Sequence, residues 1–204
     1  MSVEVNLSML RTVLALCLLP AVSPAGEFNK TLSVGDPAPV WKDFPGTDGK
    51  KHALADHADK VVILVFTCNS CPIAQEYEDR IVAFADKYKD RVAVVAVNVN
   101  TGPDDRLDAM RKRSARKKFP FPYLYDESQK VAHDYGATYT PEFFVLTKDR
   151  KVAYMGAMDD KTKADEVKDK YLEAAVDALL KGEKPATAET PGRGCLIRYK
   201  RTRD

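Results

Sequence analysis

The chain has few cysteines and fewer histidines, four and three among 204 residues. No second C-x-x-C accompanies Cys68 and Cys71, so a tetrahedral four-cysteine zinc site has no basis in the sequence. An excess of charge is also missing: 32 basic residues against 30 acidic leave +2, too weak a field to gather nucleic acid or an anionic membrane. That balance leaves a protein or a small molecule as the partner. Long apolar runs are lacking too, since the stretch TVLALCLLPAV after Arg11 falls well short of the ~20 residues with which a helix spans a bilayer. No internal repeat is visible. The length fits one domain with a sizeable core, because a chain of ~150 residues already buries roughly 70% of its unfolded surface.

What is present begins with a leader pattern. Arg11, the apolar stretch and the small residues Ser23, Pro24, Ala25 and Gly26 succeed one another as in a cleaved secretory signal, here residues 1–25. Glu4 and Asn6 suit the start of such a signal poorly, and Met9 would open a cleaner one. Leu16 stands before Cys17 where lipoprotein signals usually carry Gly, Ala or Ser, which argues against lipidation there. Only an uncleaved leader would tie the chain to a membrane. Export places the mature chain in a secreted or periplasmic compartment, where disulfides persist. Cys17 then leaves with the leader, and Cys68, Cys71 and Cys195 remain. A pair formed by Cys68 and Cys71 leaves Cys195 as a free thiol, an intermolecular partner or a third redox group.

The remainder alternates strand and helix patterns. After a loop rich in Pro, Gly and Asp (Gly35 to Gly49), the run Val61 to Phe66 reads as a buried strand, Ile73 to Lys89 as a helix and Val92 to Val99 as a second strand. Strands joined by such a helix lie parallel in one sheet. A second helix starts near Pro103, acidic at Asp104, Asp105 and Asp108 and basic from Arg111 to Lys118, which matches the macrodipole; its basic cluster reads as a solvated face. A short strand at Tyr123 to Tyr125, a helix from Ser128 to Tyr135 stopped by Gly136, and a hairpin of Glu142 to Leu146 with Lys151 to Gly156 follow. Val167, Leu172, Ala175, Val176, Leu179 and Leu180 trace the last helix. The expected architecture is an α/β domain over residues 32–183, a central mixed sheet flanked by helices, with residues 184–204 as an extended C-terminal tail over the surface.

Cys68 and Cys71 fall on the turn between the first strand and the first helix. The first helical turn carries unpaired N–H groups and the positive end of the macrodipole, both of which favour a thiolate, so Cys68 is the candidate nucleophile. Lowering a thiol pKa from ~8.5 to ~7 takes about 2 kcal/mol, more than the ~0.3 to 1 ascribed to a dipole, so local N–H donors have to contribute. A purely structural Cys68–Cys71 bridge closes so short a loop that it removes little unfolded-chain entropy.

The strand, the CNSC turn, the helix, Thr140-Pro141 and the closing hairpin and helix together resemble the thioredoxin-like superfamily, and more closely the secreted bacterial redoxins of AhpC/TSA type. The resemblance rests on C-x-x-C-P at Cys68 to Pro72, on Tyr77-Glu78-Asp79-Arg80, and on the TPE run Thr140 to Glu142, with Gly194-Cys195 as a further likeness. It implies a thiol-disulfide oxidoreductase without a cofactor. Cys68 would attack a disulfide and Cys71 resolve the mixed disulfide. A cis Pro141 would bring the Thr140 backbone to the sulfurs and to an extended substrate segment. Partners would be protein disulfides or dithiols and a redox partner protein.

The sequence departs from many thioredoxins in two places. Thr67 precedes Cys68 where they carry tryptophan, and the strand VVILVF holds no titratable group, so no proton acceptor for Cys71 is assigned; Glu76 and Glu78 read as solvated helix residues. Two alternatives come with the family. Thiol peroxidases of the peroxiredoxin kind carry Thr or Ser three residues before the attacking cysteine, within P-x-x-x-[TS]-x-x-C; Val65 stands at that position here. Copper chaperones of this fold use C-x-x-x-C and a histidine, whereas His52, His57 and His133 are isolated here and read as surface or capping residues. A cleaved leader predicts that N-terminal sequencing of the mature protein begins at Gly26; a mature chain that still starts at Met1 or Met9 would contradict export by cleavage.

Overall fold

The structure, a computed structural model, describes residues 26–200; the expected leader lies outside the described residues. In chain order the strands and helices are β1 (Phe44–Pro45), β2 (Lys51–His52), β3 (Val61–Thr67), α1 (Pro72–Lys87), β4 (Val92–Asn98), α2 (Leu107–Lys117), β5 (Tyr123–Tyr125), α3 (Lys130–Tyr135), β6 (Tyr139–Thr140), β7 (Glu142–Leu146), β8 (Val152–Gly156), α4 (Tyr171–Leu180) and β9 (Cys195–Leu196). Five of the strands form one mixed sheet in the order β5-β4-β3-β7-β8. β3 runs parallel to β4 and antiparallel to β7, with Thr67 opposite Asn98 and Phe66 opposite Glu142.

β3 is buried along its whole length because the sheet is covered on both faces. The two-residue period of a strand sorts its side chains. Val62, Leu64 and Phe66 join a cluster with Trp41, Val95, Val97, Leu124, Tyr135 and Phe144. Ile63 and Val65 point the other way, into a cluster with Tyr77, Ile81 and Phe84 of α1, Met110 of α2, and Leu172 and Val176 of α4. Helices therefore flank a central sheet, and the sulfur-bearing turn sits at the C-terminal end of its middle strand.

Local chemistry explains where the elements stop. α1 opens with Pro72 at its first position and Cys71 as the N-cap. α3 closes on Gly136, whose φ of 64° is the left-handed cap geometry that glycine adopts without strain. Three helices start later than the sequence pattern implies, α3 at Lys130 rather than Ser128. Pro103–Asp105 form a 3-10 turn, and the extended Arg106 separates it from α2. Val167 lies outside α4: the Asp160 carboxylate accepts the N–H groups of Lys168 and Asp169, which closes that stretch as a loop.

The tail is stitched to the domain rather than laid over it. The backbone of Met155 exchanges hydrogen bonds with Ala188 and Thr190, and the Glu189 carboxylate accepts the N–H groups of Glu27, Phe28 and Asn29. Further on, β9 pairs antiparallel with β6, Ile197 is buried, and Tyr199 lies against His133 while its hydroxyl donates to the Ala137 carbonyl. Leu64 is wholly buried in the middle strand, so Leu64→Ala should cost about 2 to 5 kcal/mol in denaturant unfolding. A loss below that range would mean the strand is less tightly packed than its burial implies.

Candidate functional site

The site forms where three chain segments meet at the end of β3. β3 delivers Cys68, the first turn of α1 delivers Cys71, and β6 delivers Thr140, which precedes Pro141 through a cis peptide bond. The fourth contributor is β9, which carries Cys195 against Thr140. The three sulfur residues pack together with Ala74 and Ile73. Cys71 is bonded to Cys195, and Cys68 is a free thiol.

This pairing differs from the expected one between Cys68 and Cys71. The physical reason is β9: by adding to β6 it lays Cys195 across the mouth of α1, 6.1 Å from Cys71 between Cα atoms, a normal span for a disulfide. Thr140 lies among the sulfurs. Its hydroxyl is 3.4 Å from Cys68 Sγ and its carbonyl oxygen 3.3 Å from Cys71 Sγ.

The helix terminus serves Cys68 less than the sequence implies, through the Cys71 N–H, a smaller influence than the Thr140 hydroxyl. Cys71, the N-cap, takes the Ala74 N–H on its own sulfur. The N–H groups of Asn69 and Ser70 turn instead to one oxygen of Asp105, at 2.7 and 3.1 Å, and the Ser70 hydroxyl donates to the other at 2.6 Å while standing 3.9 Å from Cys68 Sγ. Cys68 is 2% exposed. Burial pushes its thiol above the usual range; the Thr140 hydroxyl pulls it back, and the Asp105 charge pushes in the same direction as burial. In this form Cys68 is a buried free thiol packed against Cys195 of the tail.

Asp105 anchors the CNSC turn. Besides the three donors above it accepts from the Asn98 side chain, which also donates to the Tyr123 hydroxyl. Tyr123 in turn donates to the Asn69 side chain, whose amide reaches the Asp104 carbonyl. This role is not legible in the sequence, because an aspartate after Gly102-Pro103 reads as a helix-start residue and nothing in its spacing ties it to position 69. Glu142 was also unassigned. It is buried beside Pro141, and one of its oxygens accepts the N–H groups of Thr138 and Tyr139, bracing the loop that presents Thr140. Burial raises its carboxyl above the usual range and those two donors offset part of the effect.

Other sequence expectations settle elsewhere. Glu78 is not solvated: it is buried and paired with Arg113 at 2.6 Å and Lys117 at 3.5 Å, so part of the basic face of α2 is the counter-charge of α1. Glu76 is exposed. His52 bonds to Asp48, His133 packs on Tyr199, and burial lowers the His57 pKa. Among the described residues no group of three or more His, Cys, Asp or Glu is arranged to hold a metal ion.

Residues 34–155 match the model of the AhpC/TSA family. The chain belongs to that family. This AhpC/TSA protein is 31% identical over 153 residues to the thiol-disulfide oxidoreductase ResA of Geobacillus thermodenitrificans, a match that covers 70% of the chain and 83% of the relative. Among solved structures it is similar to an uncharacterized conserved protein from Geobacillus kaustophilus, with a TM-score of 0.80 and 32% identity over 86% of this chain and 96% of that one. A thioredoxin-like protein solved in its oxidized form shares the fold, at a TM-score of 0.59 and 19% identity, over 75% of this chain and all of that one. The AhpC/TSA match ends at residue 155, so Cys195 and the strand that carries it lie beyond it.

The anchoring carboxylate can be tested by charge removal. Asp105→Asn keeps an acceptor for the Asn69 and Ser70 N–H groups but removes the negative charge beside the thiol. The Cys68 pKa, followed by thiolate ultraviolet absorbance in the oxidised protein, should therefore fall. An unchanged or higher value would show that Asp105 acts on the turn without acting on the sulfur.

Proposed function

We propose that this AhpC/TSA-family thiol-disulfide oxidoreductase exchanges disulfides with partner proteins outside the cytoplasm, using Cys68 and Cys71 as its dithiol pair. The observation that carries the reading is the gathering of Cys68 and Cys71 against the Thr140–Pro141 backbone, with Cys71 already in a disulfide. A free thiol packed beside a disulfide is an arrangement suited to bond exchange.

In the enzyme whose cysteines have been reduced by a dithiol redox partner, Cys68, as thiolate, attacks one sulfur of a partner disulfide, and the partner's other sulfur leaves and takes up a proton. Cys71 then attacks Cys68 Sγ, releasing the partner's first sulfur. The partner gains two electrons and two protons, and the enzyme is left with a Cys68–Cys71 disulfide. Reversal of the same steps oxidises a partner dithiol. Thr140 and Pro141 line the approach to both sulfurs, so an extended partner segment would lie along β6. An extracytoplasmic location is supported by the leader pattern of residues 1–25 and by chemistry that relies on a persisting disulfide. No cofactor takes part, and no nucleic acid.

A variant that keeps Cys68 alone, Cys71→Ser with Cys195→Ser, should accumulate a covalent adduct with insulin chains that dithiothreitol releases. Its insulin reduction should fall to background while the wild-type protein turns over. A variant that forms no adduct, beside a wild type that reduces insulin no faster than free dithiothreitol, would overturn the assignment.

A further inference from the structure

The strand β9 occupies the edge that the proposed function assigns to a partner. Cys195 pairs with Thr140 in the β6 register and Leu196 with Tyr139, so the tail takes the backbone position of an extended substrate segment immediately before Pro141. Its fit is close. A Cβ placed on Gly194 would come within 2.1 Å of the Thr140 carbonyl oxygen and 3.0 Å of the Pro141 nitrogen, so a side chain at that position has no room. The tail beyond is held by Ile197, whose N–H donates to the Thr138 carbonyl, and by Gln129, which donates to the Arg198 carbonyl and accepts the Lys200 N–H. Cys68 lies under this cover as a free thiol, packed with both bonded cysteines.

We propose that Cys195 is a third redox cysteine and its strand an internal stand-in for the substrate, so that the oxidised enzyme interconverts between a latched form with Cys71–Cys195 bonded and an open form with Cys68–Cys71 bonded. The proposal rests on the exchange chemistry assigned to Cys68 and Cys71. From the open form, Cys195 thiolate attacks Cys71 Sγ; the Cys71–Cys195 bond forms, the Cys68–Cys71 bond breaks, and Cys68 leaves as a thiolate that takes the proton Cys195 gave up. No electrons enter or leave. Reversal opens the latch, frees β6 and exposes the disulfide that a partner dithiol attacks. The partner this edge fits is an extended segment with a residue no larger than glycine directly before its cysteine, as in Gly194-Cys195.

The two forms separate by mass. Trypsin cuts the chain so that residues 61–80 carry both Cys68 and Cys71, and residues 194–198 carry Cys195. Full-length mature protein is reduced, mixed with insulin for a single turnover, quenched in acid at intervals, alkylated and digested. The 61–80 peptide with an internal bridge should appear first and decay into the 61–80 peptide joined to 194–198, with Cys68 alkylated. The joined species should be in at least tenfold excess at the end. Each tenfold preference for the latched form lowers the two-electron potential by about 30 mV, so Cys195→Ser should be the more oxidising protein by that amount or more. If the internal bridge persists and Cys195 is alkylated throughout, the latch is refuted while insulin reduction still upholds the exchange chemistry. The relay is likewise refuted if Cys68→Ser forms Cys71–Cys195 as fast as the wild type. Failure of the wild type to reduce insulin, with the joined peptide present, would strike the exchange reading instead.

Discussion

The placement of β3 between β4 and β7 is the constraint on which the site depends. β3 is buried along its whole length and hydrogen-bonded along both edges, to β4 and to β7, so its end is fixed in space. β4, parallel on one side, ends at Asn98 and leads into Asp105; β7, antiparallel on the other, begins just after Pro141. The parallel neighbour therefore brings the carboxylate that holds the CNSC turn, and the antiparallel neighbour brings the backbone that faces the sulfurs. Had both neighbours run in one direction, these two groups would not meet at the same end.

Competition for backbone N–H groups then sets the chemistry of the sulfurs. A turn at a helix start offers several donors, but each donor has one proton to give. Asp105 takes those of Asn69 and Ser70, and Cys71 takes that of Ala74. Cys68 receives the Thr140 hydroxyl contact and lesser help from the Cys71 N–H and the Ser70 hydroxyl, set against burial and a nearby carboxylate. A bare helix-dipole argument predicts a depressed thiol and misses this division. The turn is held rigid by the same donors that an ionised Cys68 would otherwise use, so anything that uncovers the thiol to water also relieves the main cause of its raised pKa.

The tail changes the meaning of the odd cysteine. Pairing to β6, burial of Ile197 and the polar bonds of Gln129 and Glu189 make residues 188–200 part of the packed structure, and they direct Cys195 toward Cys71. The charged face of α2 is reassigned in a similar way. Arg113 and Lys117 neutralise the buried Glu78, which ties α2 to α1.

Much of the fold was legible in the chain. The unbroken, mostly β-branched apolar run Val61 to Phe66, the helical spacing after Pro72 and the glycine at 136 depend on neighbours in sequence, so they determined β3, α1 and the end of α3 without reference to the rest of the molecule. The CNSC turn and the Thr-Pro pair were likewise readable as residues. Which cysteines are bonded, where the amide protons of the turn go, and why Glu78 is buried were decided by tertiary structure alone. Each depends on groups 35 to 124 residues apart. Spacing along the chain carries no record of such distances; only the order and direction of the packed strands bring those atoms within bonding range.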